Sequence, residues 1–206
     1  MGLILIEGNI GSGKTTLGRM LSEWLNVDLY EELTSDFTGE LLKKFYNDKK
    51  NWAFELQVNF LAERFQMIYD AQNNFDDRSV MDRSIYGDAI FAEVLYEDGD
   101  MSKEQYRIYM NLLDKMLYSA QSPTLMIYLE SSTDMLMKRI EERNRGNEFL
   151  IERDYIERLN NKYNEWFSKY NHSQKIFIDK DNIDLQDHDE AEAIFSTIEL
   201  YTEGDK

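Results

Sequence analysis

The stretch Leu3-Ile4-Leu5-Ile6-Glu7-Gly8-Asn9-Ile10-Gly11-Ser12-Gly13-Lys14-Thr15-Thr16 decides the fold. An apolar run of strand length passes into the pattern G-x-x-x-x-G-K-[ST], and helical periodicity takes over from Thr15 to Leu25. Strand, glycine loop and helix in that order make a phosphate-binding P-loop. Its glycines let the backbone curl until successive N–H groups between Gly8 and Thr16 face an anion. The helix behind them presents its positive end. Lys14 is then expected to reach the β- and γ-phosphates of ATP, and the Thr15 hydroxyl to ligate Mg²⁺. A glycine-rich turn that binds nothing has no need of the lysine, the threonine and both flanking elements together. The motif predicts its ligand but leaves the phosphate acceptor open.

Outward from the loop, four more apolar runs read as strands: Val27 to Tyr30, Ser79 to Asp82, Thr124 to Glu130 and Lys175 to Asp179. Helical periodicity fills Trp52 to Ala71, Lys103 to Ser119, Asp134 to Arg143, Asp154 to Tyr170 and Glu190 to Tyr201. In the first of these, Phe54, Val58, Leu61, Phe65 and Ile68 fall on one face. Strands alternating with helices predict an α/β fold, a three-layer α/β/α arrangement on a five-stranded parallel sheet, in one domain spanning 1–206. Pro123, the only proline, precedes a strand, where a missing N–H does little harm.

In such a sheet, ligands collect beyond the carboxyl ends of the strands. The polar residues worth noting lie there: Glu7 and the loop, Glu31-Glu32, and Asp82-Arg83-Ser84. The helix after the fourth strand leads into a cluster of cations, Lys138, Arg139, Arg143 and Arg145. Arg139 and Arg143 share a helix face, and a planar guanidinium suits charge spread over a transferring phosphoryl group. The competing reading is a helix laced with ion pairs to Glu141 and Glu142. Gln57 and Arg64 stand two helical turns apart, so both can face one cavity, and an amide edge suits the Watson–Crick face of a base.

These residues together resemble the deoxynucleoside kinase family, especially its bacterial deoxyadenosine, deoxyguanosine and deoxycytidine kinases. The likeness runs nearly end to end. It rests on the P-loop, Tyr30-Glu31, Phe45-Tyr46, Trp52-Ala53-Phe54 with Gln57 and Arg64, Asp82-Arg83-Ser84-Ile85-Tyr86, and Arg139 through Arg143, Arg145 and Glu148. The resemblance implies transfer of the γ-phosphate of ATP to the 5′-hydroxyl of a deoxyribonucleoside. It implies Glu31 as general base, with Asp82 as the rival for that role or as a ligand of Mg²⁺. Arg83 would orient Glu31 and touch the 5′-oxygen. Arg139, Arg143 and Arg145 would form a helical lid at about 139–150 over the phosphates, and Lys180 to Leu185 a loop over the adenine. Tyr46 and Glu148 would hold the sugar 3′-hydroxyl, Phe91 would stack on the base, and an Arg64–Asp88 pair would favour purines and cytosine. The expected preference is deoxyadenosine or deoxyguanosine, then deoxycytidine, with thymidine last. Glu32 stands where many members carry proline or a small residue. A homodimer is implied too.

Composition narrows the partners. The 206 residues carry a net charge of −17, which argues against nucleic acid, since counterion release needs a basic face. From Asp179 onward ten acids face two lysines, which reads as a solvated acidic helix and tail. There is no cysteine, no apolar run of membrane-spanning length and no basic stretch before the first apolar run, so a cytoplasmic protein is expected. Two rivals share the P-loop. A nucleoside monophosphate kinase, such as a thymidylate kinase, must bind a substrate phosphate, which Glu31-Glu32 would repel. A non-catalytic ATP-binding module would not need a base and lid arginines.

Overall fold

The computed structural model describes residues 2–32, 35–73, 78–120, 122–143 and 151–203. Five strands form one parallel sheet: β1 (Gly2–Gly8), β2 (Asp28–Tyr30), β3 (Arg78–Asp82), β4 (Leu125–Glu130) and β5 (Gln174–Asp179). Their order in space is β2-β3-β1-β4-β5, which puts β1 and its loop in the middle of the sheet. All four pairings are parallel.

Alternation along the strands divides the core. Ile4, Ile6, Val80, Leu125, Ile127 and Leu129 face one side, where they pack with Leu17 and Leu21 of α1 (Lys14–Leu25) and with Ala191, Phe195 and Ile198 of α8 (His188–Glu203). Leu5, Met81 and Met126 face the other side. There they meet α2 (Asp36–Asn47), α3 (Lys49–Asn73), α4 (Asp88–Glu97) and α5 (Lys103–Ser119). The remaining helices are α6 (Thr133–Arg143) and α7 (Arg153–Lys169). Three layers result, a P-loop α/β/α fold.

The sequence reading missed α2 and α4. The first is opened by a Ser35 cap whose side chain accepts from Thr38 N–H, and its apolar stripe is short. The second begins directly after a 3₁₀ turn over Ile85–Gly87 and is capped by Gly87 without a side-chain hydrogen bond. The buried face of α3 also differs from the predicted stripe. Ala53, Leu56, Gln57, Leu61, Arg64, Met67, Ile68 and Ala71 are buried, whereas Phe54, Val58 and Phe65 are only partly covered. A helix that buries a glutamine and an arginine cannot be phased by hydrophobicity alone.

Candidate active site

The phosphate loop is local in its construction. Gly11 and Gly13 have φ of 82° and 94°, a region that costs a side chain dearly, so the turn needs glycine at both points. Gly13 caps α1 without a side-chain hydrogen bond, and the first turn holds no acid. Its N–H groups and positive dipole end are therefore left for an anion. Lys14 curls back and donates to Gly8 O at 3.0 Å and Asn9 O at 2.9 Å. Burial lowers its pKa, Arg83 adds repulsion, and neighbouring acids only partly compensate, leaving it at about 7. Asn9 ties the loop to α7 by donating to Ile156 O at 3.0 Å, and Asn160 of α7 donates to Ser131 O at 2.9 Å.

One cavity of about 850 Å³ opens at the carboxyl edge of the sheet. Ile10, Gly11, Gly13, Lys14, Thr15 and Thr16 line its loop side. Glu31, Glu32, Asp82 and Arg83 line the strand ends, and Tyr46 of α2, Gln57 and Arg64 of α3 and Phe91 of α4 line the helical wall. Arg139 and Arg143 reach it from α6. Ser12 is wholly buried beneath the loop. Arg145 and Glu148 lie outside the described residues, as does the lid beyond Arg143.

Thr15 Oγ1 donates to Asp82 Oδ2 at 2.5 Å, while Asp82 Oδ1 is buried with no hydrogen-bond partner among the described residues. A hydroxyl and an orphaned carboxylate oxygen beside a phosphate loop are the hard-oxygen donors that Mg²⁺ takes. The donor set fits that ion.

The paired acids at the end of β2 need a correction. Successive residues of an extended chain point to opposite sides. Glu31 turns out toward α1, where Arg19 donates to both its oxygens at 2.6 and 2.8 Å, and it is 42% exposed. Arg83 does not orient it. Glu32 turns inward instead, at 2.6 Å from Arg64 Nη2 and 3.2 Å from Arg83 Nε. Burial alone would raise the Glu32 pKa, but Arg83 and Arg64 outweigh it and bring it to about 2. These pairings also weaken the argument that two bare acids repel a phosphorylated acceptor, since three arginines balance them.

Arg83 occupies a left-handed conformation, φ 69°, rare for a residue with a side chain. Its guanidinium lies 5.0 Å over the Phe91 ring and donates to Tyr163 OH at 2.8 Å. Arg64 bridges Glu32 and Asp88, and Asp88 sits almost fully buried beneath it. Gln57 is 4% exposed, on the same face of α3. Tyr46 packs edge-on against Phe45. Arg139 donates to Ser131 Oγ and Lys180 O at 2.9 and 3.0 Å, which brings the loop after β5 beside α6. Sequence reasoning missed Arg19 and Tyr163. Both sit on amphipathic helices at ordinary surface and core positions, and neither carries a local signal.

This geometry defines a P-loop phosphotransferase, and the comparisons name the kind. The model of the deoxynucleoside kinase family matches residues 4–200, and the chain belongs to that family. The chain is 36% identical over 199 residues to a deoxyguanosine kinase of Lactobacillus johnsonii, covering 92% of this chain and 87% of that protein. It is 37% identical over 175 residues to a deoxyadenosine/deoxycytidine kinase of Bacillus subtilis, covering 82% and 78%. Its fold superposes on a deoxyadenosine kinase from M. mycoides with bound dATP at a TM-score of 0.84 and 26% identity, covering 96% of this chain and 99% of that one. The protein is a kinase that phosphorylates nucleosides.

Proposed function

We propose that this enzyme moves the γ-phosphate of ATP to the 5′-hydroxyl of deoxyadenosine or deoxyguanosine, and less readily of deoxycytidine, with Glu32 as the general base. The observation that carries this reading is the inward carboxylate of Glu32, held between Arg64 and Arg83 in the cavity that Lys14 also lines. The 5′-oxygen attacks the γ-phosphorus, its proton passes to Glu32, and the bond from phosphorus to the β–γ bridging oxygen breaks as ADP leaves. Lys14, the loop N–H groups, Arg139 and Arg143 balance the charge on the transferring group. Arg83 touches the 5′-oxygen and holds Glu32 ionised. Thr15 and Asp82 would hold Mg²⁺, which when bound neutralises phosphate charge. Gln57 reads the base edge, and Arg64 with Asp88 favours an amino-bearing base; Phe91 stacks on it and Tyr46 meets the sugar.

The relatives support the substrate class, since those named above are deoxyguanosine and deoxyadenosine/deoxycytidine kinases. A cytoplasmic homodimer is part of the reading. Its support is the absence of cysteine, the absence among the described residues of any helix long and apolar enough to cross a membrane, and the exposed Tyr69 of α3 and Ile108 and Tyr118 of α5. Turnover of the four deoxynucleosides and of deoxyadenosine monophosphate with ATP and Mg²⁺ tests the proposal. Purine deoxynucleosides should lead; exclusive use of the monophosphate would overturn it.

A further inference from the structure

Glu7 is the one acid of β1 and is completely buried, in a run that is otherwise apolar. A buried carboxylate is costly unless it is held by donors, and an apolar residue would extend the Leu3–Ile6 run at less cost. Its partners are specific. Glu7 Oε1 accepts from Ser84 N at 2.7 Å and from Ser84 Oγ at 2.8 Å. Tyr163 OH donates to Oε2 across 3.5 Å, and the same phenol oxygen accepts from Arg83 Nη1 at 2.8 Å. The relay therefore runs from guanidinium to phenol to carboxylate with every donor facing an acceptor. Room for the carboxylate comes from Gly87: a Cβ there would stand 2.8 Å from Oε2 and 3.0 Å from Oε1.

We propose that Glu7 is a positioning residue for Arg83, clamping the left-handed turn through Ser84 and aiming the guanidinium through Tyr163. Arg83 N donates to Ile6 O at 2.9 Å, so the turn is gripped on one side by backbone and on the other by Glu7 through Ser84. This grip holds an arginine at φ 69°, which strain would otherwise disfavour. From that conformation the side chain crosses Phe91 to reach Glu32. Burial raises the Glu7 pKa overall; Arg83 is foremost among the groups that oppose that rise, so the guanidinium favours the charged carboxylate beside it. The inference rests on the reading of Arg83 as a group that touches the reacting oxygen.

A double-mutant cycle tests it. Glu7→Gln leaves an acceptor for Ser84 but turns an amide toward Tyr163 and removes the charge. We expect kcat to fall about 10²-fold, the scale of a misplaced catalytic group, with ATP affinity unchanged. In an Arg83→Ala background, Glu7→Gln should add nothing, because groups acting as one unit are not additive. Gly87→Ala should displace the carboxylate, reproduce the loss, and add nothing to Glu7→Gln; it carries the same cycle should Glu7→Gln fail to fold. Unchanged kcat, an undiminished effect in the Arg83→Ala background, or ATP affinity falling in step with kcat overturns the positioning role. Full turnover by Arg83→Ala alone overturns instead the parent reading of Arg83, and this inference with it.

Discussion

The two halves of the cavity, which we assign to the phosphates and to the acceptor, are built on opposite principles. The phosphate half is nine consecutive residues, Gly8 to Thr16, whose backbone makes the site and whose only long side chain is Lys14. The acceptor half takes Glu32 from the end of β2, Arg64 from α3, Arg83 from the end of β3 and Asp88 from the start of α4. Glu32, Arg64, Arg83 and Asp88 hold one another by charge across long stretches of sequence. A site made of consecutive backbone tolerates change around it. A site made of mutually paired charges does not, because removing one partner leaves another buried and unbalanced.

The largest test of this contrast is Lys14→Ala, expected to lower turnover by about 10³-fold or more, as loss of a cation on the transferring phosphoryl does. It should leave thermal stability and nucleoside binding nearly intact, and a collapse of either would show that the phosphate half is not self-contained. Glu32→Gln comes next, with kcat down about 10²-fold or more while ATP binding persists. Glu31→Gln is the control for it, and near-normal turnover is expected. If the order reverses, the inward carboxylate is not the base and the outward one is.

Arg64→Ala probes the acceptor half as structure. It strands the buried Asp88 and leaves Glu32 to Arg83 alone, and urea denaturation should register a loss of about 3 kcal/mol, with the ranking of deoxynucleosides altered. An unchanged ranking would sink the assignment of this helix face to the base. The smallest effect concerns protons. Free Lys14 sits at about 7, and a bound phosphate favours its charged form. ATP binding at pH 8 to 9 should therefore take up a proton, and affinity should fall as pH rises, by at most about tenfold per unit. Calorimetry in two buffers of different ionisation heat measures the uptake, and Lys14→Arg should abolish it.

Much of this was legible in the residues. The G-x-x-x-x-G-K-[ST] run with its flanking strand and helix announced the loop, and strands alternating with helices announced the parallel sheet, because both signals are short-range. Gln57 and Arg64 were legible as one face by their spacing. What escaped was the parity of Glu31 and Glu32. A one-residue shift reverses the side on which a residue stands, and nothing in two adjacent glutamates says which turns inward. Arg19 and Tyr163 escaped because their roles exist only through partners 12 and 80 residues away.

By itself, then, the sequence determined the glycine loop between strand and helix, the layer architecture and the family, since each is written in contiguous residues or in a repeated period. Only the tertiary structure decided which acid turns into the cavity, which groups surround the left-handed Arg83 and what stands where a Gly87 side chain would be. Those depend on charges and volumes meeting across the sheet, and Coulombic pairing and packing depend on distance in space rather than along the chain.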